Sequence, residues 1–345
     1  MGACWIPTMQ QLERSLLATH FLRTTLKRCA RIALGERRYA ELASARSRRL
    51  QRRLMTQQRR LMTQWTMWHS PLSPELKCEI SRAMDRLNRM NLPDWGTVDL
   101  MDYTISFCGR VSFLYMFEEI FAKASYLFHS DTDRPLIFDC GSNIGMSVLF
   151  FKKLYPAARI TAFEPDPRTF SVLNENIRDN GLTDVAAHQV ALGSRDGFVD
   201  FYRDENENLS SPLMSVNRER LAGSRWQPVL RARHIQVQTR RLSTFIESDI
   251  DLLKIDVEGA ELEIMQDLVA AGKLRRARRI HLEYHHHIGA APDNFSAILR
   301  LLESAGFDYQ IRADHGGQWP WPTENAFQDV ALYCYRREER LKQPH

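Results

Sequence analysis

The sequence predicts an α/β fold in which a doubly wound, mostly parallel sheet follows a helical N-terminal extension. From residue 131 onward, strand-like apolar runs alternate with stretches of helical periodicity, as in layered α/β domains. A glycine-containing turn joins the first strand-like run to the first helical stretch. Residues 9–68 contain no proline and one glycine, and helix-favouring side chains dominate them. The 345 residues therefore suffice for one large domain and a smaller extension.

The N-terminal arm, residues 1–70, carries the excess of positive charge. It holds 14 Lys and Arg against 3 Asp and Glu, whereas residues 71–345 hold 33 against 39. A seven-residue repeat places Leu54, Leu61 and Trp68 in one apolar seam flanked by arginines. The arm is predicted to be a basic helix that forms a short coiled coil, docks on a partner or stays solvated. A coiled coil there could join copies into a homo-oligomer. Contact with nucleic acid or an anionic membrane surface is a less favoured alternative.

Residues 71–130 are predicted to form a helical cap or linker region. The proline-containing segment 70–74 interrupts the arm, and helices are expected at 75–91 and 111–128. The second helix is rich in aromatic residues, which favours packing against the next domain. A substrate-lining role is the alternative for it.

The main domain is predicted over residues 131–345. Strands are expected at 136–140, 159–164, 186–192, 251–257 and 278–284, helices at 145–154, 167–180, 259–271 and 293–305, an extended pair at 197–203 and 234–239, and a closing hairpin at 307–312 and 328–335. This order predicts a parallel sheet with an antiparallel edge. The long segment 206–226 is interpreted either as a lid or acceptor loop or as disorder without function.

The composition favours a soluble globular protein, with 44% hydrophobic and 26% charged residues. Six cysteines are scattered without a C-x-x-C pair, which predicts reduced thiols in a cytoplasmic protein and argues against a structural zinc site. No apolar run is long enough to form a transmembrane segment.

The glycine turn after the first predicted strand indicates a nucleotide site. Its spacing, Asp139-x-Gly141-x-x-x-Gly145, lacks the dinucleotide fingerprint, so a dinucleotide oxidoreductase is disfavoured. Glu164 ends the second predicted strand about 20 residues later, where this fold places a carboxylate for ribose hydroxyls. Capping the next helix is the alternative role for Glu164, although Asp166 could fill it.

These motifs, taken together, resemble the FkbM family of S-adenosylmethionine-dependent methyltransferases. The resemblance rests on 138–145, 162–167, 173–176, 180–181, 190–193 and above all on Leu-Lys-Ile-Asp-Val-Glu-Gly-Ala-Glu at 253–261. It covers about residues 131–335 and implies a seven-stranded, Rossmann-like class I methyltransferase fold.

The resemblance also implies how S-adenosylmethionine is bound. The loop would wrap its amino-acid end, Glu164 would hold the ribose, and residues near the adenine would come from two later segments. The implied cofactor site comprises Asp139, Gly141, Ser142, Asn143, Gly145, Glu164, Pro165, Asp166, Ala191, Leu192 and Asp256.

Two predicted strand ends supply candidates for the chemistry of transfer. Alternation places Lys254, Asp256 and Glu258 on one face of the fourth core strand, and His281, Glu283 and His285 on one face of the fifth. His285 is the favoured general base because a neutral imidazole accepts a proton near pH 7. Glu283 would orient it or act as a second acid, although the histidine run could also be a solvated strand end.

Asp256 is expected to neighbour the sulfonium or the acceptor, and Glu258 either meets the substrate or caps the following helix. A Mg²⁺ ion held by Asp256, Glu283 and His285 is a weaker hypothesis, since such oxygen-rich groups can bind it.

The favoured function is O-methylation of a hydroxyl on a small molecule, namely a sugar, a glycolipid or a polyketide-type natural product. The acceptor oxygen would attack the methyl carbon in line while a general base removes its proton. The alternatives are a methyltransferase that grips RNA or protein with the basic arm, and a non-catalytic scaffold that oligomerises through its N-terminal helices.

Overall fold

The computed structural model of the chain describes residues 63, 66–204, 232–286, 294–314 and 328–337. Nearly all of the predicted basic arm, with its seven-residue repeat and its proposed oligomer contact, lies outside the described residues. The predicted lid at 206–226 also lies outside them. These expectations therefore stay predictions.

The region after the arm contains both helices and a hairpin. Its elements are helix α1 (Pro74–Arg89), strands β1 (Trp95–Leu100) and β2 (Tyr103–Cys108), helix α2 (Arg110–Met116) and a π-helical segment (Phe117–Ala122). The hairpin corrects the expectation of a purely helical region. Met101 and Asp102 turn it at positive φ values of 53° and 64°. The sequence gives little signal here, because such two-residue turns usually carry Asn-Gly or Gly.

The main domain alternates strands and helices as predicted. Its elements are β3 (Leu136–Cys140), α3 (Met146–Leu154), β4 (Arg159–Phe163), α4 (Pro167–Asp179), β5 (Val185–His188), β6 (Ala191–Leu192), β7 (Gly197–Asp204), β8 (Ala232–Arg240), β9 (Ile250–Ile255), α5 (Glu261–Ala270), β10 (Ala277–His286), α6 (Phe295–Ser304), β11 (Phe307–Asp314) and β12 (Gln328–Arg336).

Seven of these strands form one sheet in the order β11-β12-β10-β9-β3-β4-β5. Every pairing within it is parallel except the two that β12 makes, so the doubly wound prediction is confirmed. The predicted antiparallel edge is also confirmed, because the closing hairpin of β11 and β12 forms that end of the sheet, with β12 one position inside it. Because the strand order reverses between β3 and β9, the crevice beyond their carboxyl ends is where such a sheet binds ligands.

The predicted strand at 186–192 is divided between two sheets. β5 joins the large sheet, whereas β6 joins β8 and β7 in a separate three-stranded sheet. Within the small sheet β6 pairs with β8 in parallel and β7 pairs with β8 antiparallel, which accounts for the predicted extended pair.

Two apolar clusters cover opposite faces of the large sheet. Ile137 belongs to one and its neighbour Phe138 to the other, as strand alternation requires. The aromatic segment at 111–128 packs in the cluster that contains Ile137, where the Phe121 ring meets Phe150 of α3 edge-on at 5.3 Å. This agrees with the packing interpretation of residues 111–128. Among the described residues, no helix is long and apolar enough to cross a membrane.

Asn176 of α4 ties the hairpin to the glycine turn. Its Oδ1 accepts a hydrogen bond from Ser106 N at 2.7 Å, and its Nδ2 donates to Ser106 O at 3.0 Å and to Ile144 O at 2.7 Å. The side chain is buried, so these bonds satisfy backbone groups that water does not reach. The hairpin is thereby fixed directly against the ligand-binding edge of the sheet.

Candidate active site

The turn after β3 requires its glycines for two separate reasons. Gly141 and Gly145 have φ values of +85° and +88°, which favour glycine. A Cβ on Gly141 would lie 1.8 Å from the carbonyl oxygen of Asp256, and one on Gly145 would lie 2.7 Å from Leu173 Cδ1. The first approach joins the turn to the end of β9, so the ends of the two central strands form one structure.

Asp139 and Lys254 form a buried ion pair beneath this turn. The two residues are register partners on β3 and β9, and Lys254 Nζ lies 3.1 Å from Asp139 Oδ1. Lys254 Nζ also donates to Gly141 O at 2.7 Å, and Ser147 Oγ donates to Asp139 Oδ2 at 2.5 Å. Burial alone would lower the pKa of Lys254, but the carboxylates of Asp139 and Asp256 outweigh burial and raise it. Lys254 is thus a cation that holds the turn.

Glu164 lies at the end of β4 and faces the same turn. Its Oε2 accepts from Asn143 N at 3.0 Å and its Oε1 accepts from Asp166 N at 2.9 Å. Burial raises the pKa of Glu164 to about 8, although these two N–H groups act in the opposite direction. Asp166 caps α4 by accepting from Arg168 N and Thr169 N. The helix-capping role therefore belongs to Asp166, and Glu164 is directed at the turn.

The remaining residues of the predicted cofactor site lie in three places. Ser142 is buried and its Oγ donates to Asp139 O at 2.8 Å. Pro165 separates Glu164 from Asp166. Ala191 and Leu192 are buried in β6 of the small sheet, and nothing described places an adenine beside them, so that role stays a prediction.

Asp256 lies just beyond the end of β9 and is the central carboxylate of the cleft. Its Oδ2 accepts from the hydroxyl of Tyr126 at 2.8 Å, and its Oδ1 lies 3.8 Å from His285 Nε2. Lys254 Nζ lies 3.7 Å from the same carboxylate and 5.1 Å from the centre of the Tyr126 ring. Burial and the charge of Asp256 raise the pKa of Tyr126, which therefore remains a neutral hydrogen-bond donor.

His285 is buried at the carboxyl end of β10. Its Nδ1 lies 2.6 Å from Glu261 Oε1, and its Nε2 lies 3.3 Å from Glu258 Oε2. Asp329, its register partner on β12, lies 4.0 Å from Nε2. The alternative of a solvated strand end does not fit this burial. Glu261 contacts Nδ1, whereas the sequence assigned the orienting role to Glu283.

Glu283 and His281 share the predicted face of β10 with His285 but differ from it chemically. Burial raises the pKa of Glu283 well above its usual range, and the charge of Asp256 adds to this, so that its neutral form is favoured. Burial lowers the pKa of His281 to about 3, with a contribution from Arg279, and its ring packs edge-on against Tyr333 at 5.0 Å. His281 therefore stays neutral.

Glu258 does not continue the predicted strand alternation. β9 ends at Ile255, and Glu258 has a left-handed φ of +59°. This uncommon conformation is a strain often found at functional sites. It turns the Glu258 side chain toward His285 rather than toward the N-terminus of α5, where Glu261 accepts from Gly259 N at 2.9 Å. The capping alternative for Glu258 thus gives way to a place in the cleft.

Comparisons with known proteins identify the family of this chain. A family model described as the methyltransferase FkbM domain matches residues 139–309. Methyltransferase sdnD of Sordaria araneosa is 30% identical over 63% of this chain and 90% of its own length. The 31-O-demethyl-FK506 methyltransferase FkbM of Streptomyces tacrolimicus is 30% identical over 67% of this chain and 92% of its own. The chain belongs to the FkbM methyltransferase family.

A third relative is the 2-O-methyltransferase NoeI of Sinorhizobium fredii, 34% identical over 49% of this chain and 72% of its own length. The predicted resemblance and the class I methyltransferase fold are both confirmed. The protein is a methyltransferase, and its family implies S-adenosylmethionine as the donor.

The protein groups at this site can bind S-adenosylmethionine. Glu164 offers a buried carboxylate, which can accept from the two hydroxyls of a ribose. The turn at 139–145 exposes backbone groups to a ligand because its glycines leave no side chains in the way. The individual cofactor contacts stay predictions.

The residues of the magnesium hypothesis fall into two overlapping groups. Asp256, Glu258 and His285 have potential ligand atoms within 4.8 Å of one another, and so do Glu283, His285 and Asp329. The predicted combination of Asp256, Glu283 and His285 is therefore divided between them. Acidic side chains often cluster without an ion, and the hypothesis remains a prediction.

Three residues of the cleft were missed by the sequence. Tyr126 belongs to a segment interpreted as packing, and it precedes the matched family domain. Asp329 lies in the closing hairpin, where no motif marks it. Glu261 ends the family motif at 253–261, so its position was visible, but nothing in one sequence links it to His285.

Proposed function

We propose that this FkbM-family protein is an O-methyltransferase that acts on a hydroxyl group of a small molecule of the natural-product type. The observation that carries the proposal is the buried His285 ring. Its Nδ1 lies 2.6 Å from Glu261 Oε1, and its Nε2 lies 3.3 Å from Glu258 Oε2 and 3.8 Å from Asp256 Oδ1. One relative is named a 2-O-methyltransferase and another a 31-O-demethyl-FK506 methyltransferase, and both names support an oxygen acceptor. A sugar, glycolipid or polyketide-type acceptor is consistent with these names.

S-adenosylmethionine, when bound, supplies a methyl group that its sulfonium already activates. The residues of this chain have to position the acceptor and manage one proton. His285 Nε2 would take the proton of the acceptor hydroxyl as its oxygen receives the methyl group. Asp256 and Glu258 stabilise the imidazolium that forms, because opposite charges favour the protonated ring. Glu164 and the turn bind and orient the donor.

The experiment is a transfer reaction with S-adenosylmethionine that carries a deuterated methyl group. A panel of sugars, glycolipids and polyketides serves as acceptors, and mass spectrometry with NMR locates the label. The proposal expects a labelled methyl ether on at least one acceptor class. A label on nitrogen or carbon, or on RNA or protein alone, would contradict it.

The charge of the arm supports a second candidate, a methyltransferase acting on RNA or protein. Residues 1–70 carry 14 basic and 3 acidic side chains. If this candidate is right, RNA affinity should fall steeply with salt and be lost when the arm is deleted. Unchanged small-molecule turnover after deletion would instead favour the first candidate. The same assay tests magnesium participation. If Mg²⁺ takes part, a chelator should abolish turnover and added Mg²⁺ should restore it.

A further inference from the structure

We propose that Glu261 is the positioning residue of the catalytic histidine, setting which nitrogen of His285 carries the proton. This inference rests on the proposed function, in which His285 accepts the proton of the acceptor hydroxyl. Glu261 would not touch the acceptor or the methyl group. It would act by fixing the His285 ring and the loop beside it.

The geometry centres on one oxygen atom. Glu261 Oε1 lies 2.6 Å from His285 Nδ1 and also accepts the backbone N–H of Gly259 at 2.9 Å. The two side chains are only 2% and 1% exposed, so water does not compete with this bond. A buried bond to a charged group is among the stronger hydrogen bonds in proteins.

This contact determines the chemistry of the other nitrogen. An ionised carboxylate can only accept hydrogen bonds, so the proton between the two residues belongs to Nδ1. Glu258 Oε2 and Asp256 Oδ1 lie farther from Nε2, at 3.3 and 3.8 Å, than Glu261 Oε1 lies from Nδ1. The shorter contact therefore holds the single proton of the neutral ring on Nδ1 and leaves the lone pair at Nε2. Without Glu261, the neutral ring could hold its proton on Nε2 and would have no lone pair for the acceptor.

The second bond couples this arrangement to the neighbouring loop. Gly259 follows Glu258, and the two residues have positive φ values of 119° and 59°. By holding the Gly259 N–H, the same oxygen helps to keep Glu258 in its left-handed conformation beside His285. Glu261 therefore links the end of β10 to the loop that follows β9.

The alternative is that Glu261 serves only as an acidic residue at the start of α5, where a negative charge is stabilising. Glu263 provides a matched control for that effect. It lies in the same first turn, is exposed, and contacts Ser194 instead of the cleft. A role in helix stability alone predicts similar behaviour for variants of both residues.

The deciding measurement is the tautomer of His285, read from side-chain ¹⁵N signals of histidine-labelled protein in buffer with a chelator. The His285→Gln variant identifies the signal, and the pH is raised until the signal stops moving. We expect a proton on Nδ1 in wild-type protein, in Glu261→Gln, whose amide oxygen can still accept, and in Glu263→Gln. In Glu261→Ala we expect the proton of the neutral His285 ring to lie on Nε2.

Turnover on the acceptor found in the transfer assay gives the second readout. Glu261→Ala should lower kcat about 100-fold with little change in KM. The kcat of Glu261→Gln should be at least about 10-fold higher than that of Glu261→Ala. An unchanged tautomer in Glu261→Ala would overturn the inference even if the variant were less stable. If His285→Gln keeps full turnover, the proposed base is wrong. If it loses turnover while Glu261→Ala keeps it, only the inference fails.

Discussion

The proposed function divides the site into a donor half and an acceptor half, and the residues assigned to the two halves are held in different ways. The donor half consists of the turn at 139–145 with Glu164 and Asp166, and its bonds join residues close in sequence or on adjacent strands. The acceptor half brings together Tyr126, Asp256, His285 and Asp329 from four distant segments. The donor half therefore depends mainly on backbone geometry, and the acceptor half on side chains held by the whole fold.

The largest expected effect comes from breaking the backbone geometry of the donor half. In Gly141→Ala, the new Cβ would collide with the Asp256 carbonyl at 1.8 Å in a left-handed conformation. We expect the free energy of unfolding to fall by about 3 kcal/mol or more, with cofactor binding lost. Urea unfolding and calorimetry would measure both.

Gly181→Ala is the matched control for that change. Gly181 also has a positive φ, +57°, but no atom lies within 4 Å of its added Cβ. The free energy of unfolding of Gly181→Ala should fall by only about 1 kcal/mol, and cofactor binding should be unchanged. Equal losses in the two variants would mean that the contact between the turn and β9 has no special role.

A change that is smaller per pH unit concerns the buried carboxyl of Glu164 in the cofactor-free protein. Its pKa rises from 4.5 to about 8 on folding, so its stabilising contribution is complete below pH 4.5 and disappears as the pH rises through about 8. Wild-type stability should therefore fall relative to Glu164→Gln by up to about 1.4 kcal/mol per pH unit within that window. Parallel pH curves for the two proteins would show that the carboxyl titrates normally.

The smallest effect tests whether the region after the arm, residues 71–130, takes part in the acceptor half. Tyr126→Phe removes one hydrogen bond to Asp256, and we expect kcat to fall about fivefold, close to 1 kcal/mol, with donor affinity unchanged. Tyr103→Phe removes a comparable bond, to Leu149 O, away from the cleft. It should lower stability similarly without affecting kcat. Equal kcat values for the two variants would remove Tyr126 from the site.

The same contrast explains what could be predicted from the sequence. The first strand was placed correctly at Leu136–Cys140, because an apolar run followed by a glycine turn is a local signal. Glu164 was predicted from its spacing after the turn, and Asp166 was predicted as a possible cap from its position before the next helix. The hairpin of β1 and β2, which precedes the first strand of the main domain, was missed because Met101 and Asp102 adopt positive φ values without the usual turn residues.

The acceptor half could be predicted only in part. Asp256 and His285 were proposed as site residues because they lie at the carboxyl ends of recognisable strands. Their partners Tyr126, Glu261 and Asp329 were not, since these contacts depend on tertiary packing and on the position of β12 inside the sheet edge. Lys254 was a catalytic candidate from alternation; it pairs with Asp139 beneath the turn and also lies 3.7 Å from Asp256, so its catalytic role stays a prediction.

The central claim is that the donor half binds S-adenosylmethionine independently of the base in the acceptor half. Calorimetry of S-adenosylhomocysteine with wild-type, Glu164→Ala and His285→Ala proteins tests this directly, with turnover measured on the same samples. We predict that Glu164→Ala weakens binding at least about 10-fold. We predict that His285→Ala binds like wild type but loses about 100-fold in kcat. Unchanged binding in Glu164→Ala, or near-normal kcat in His285→Ala, would contradict the account.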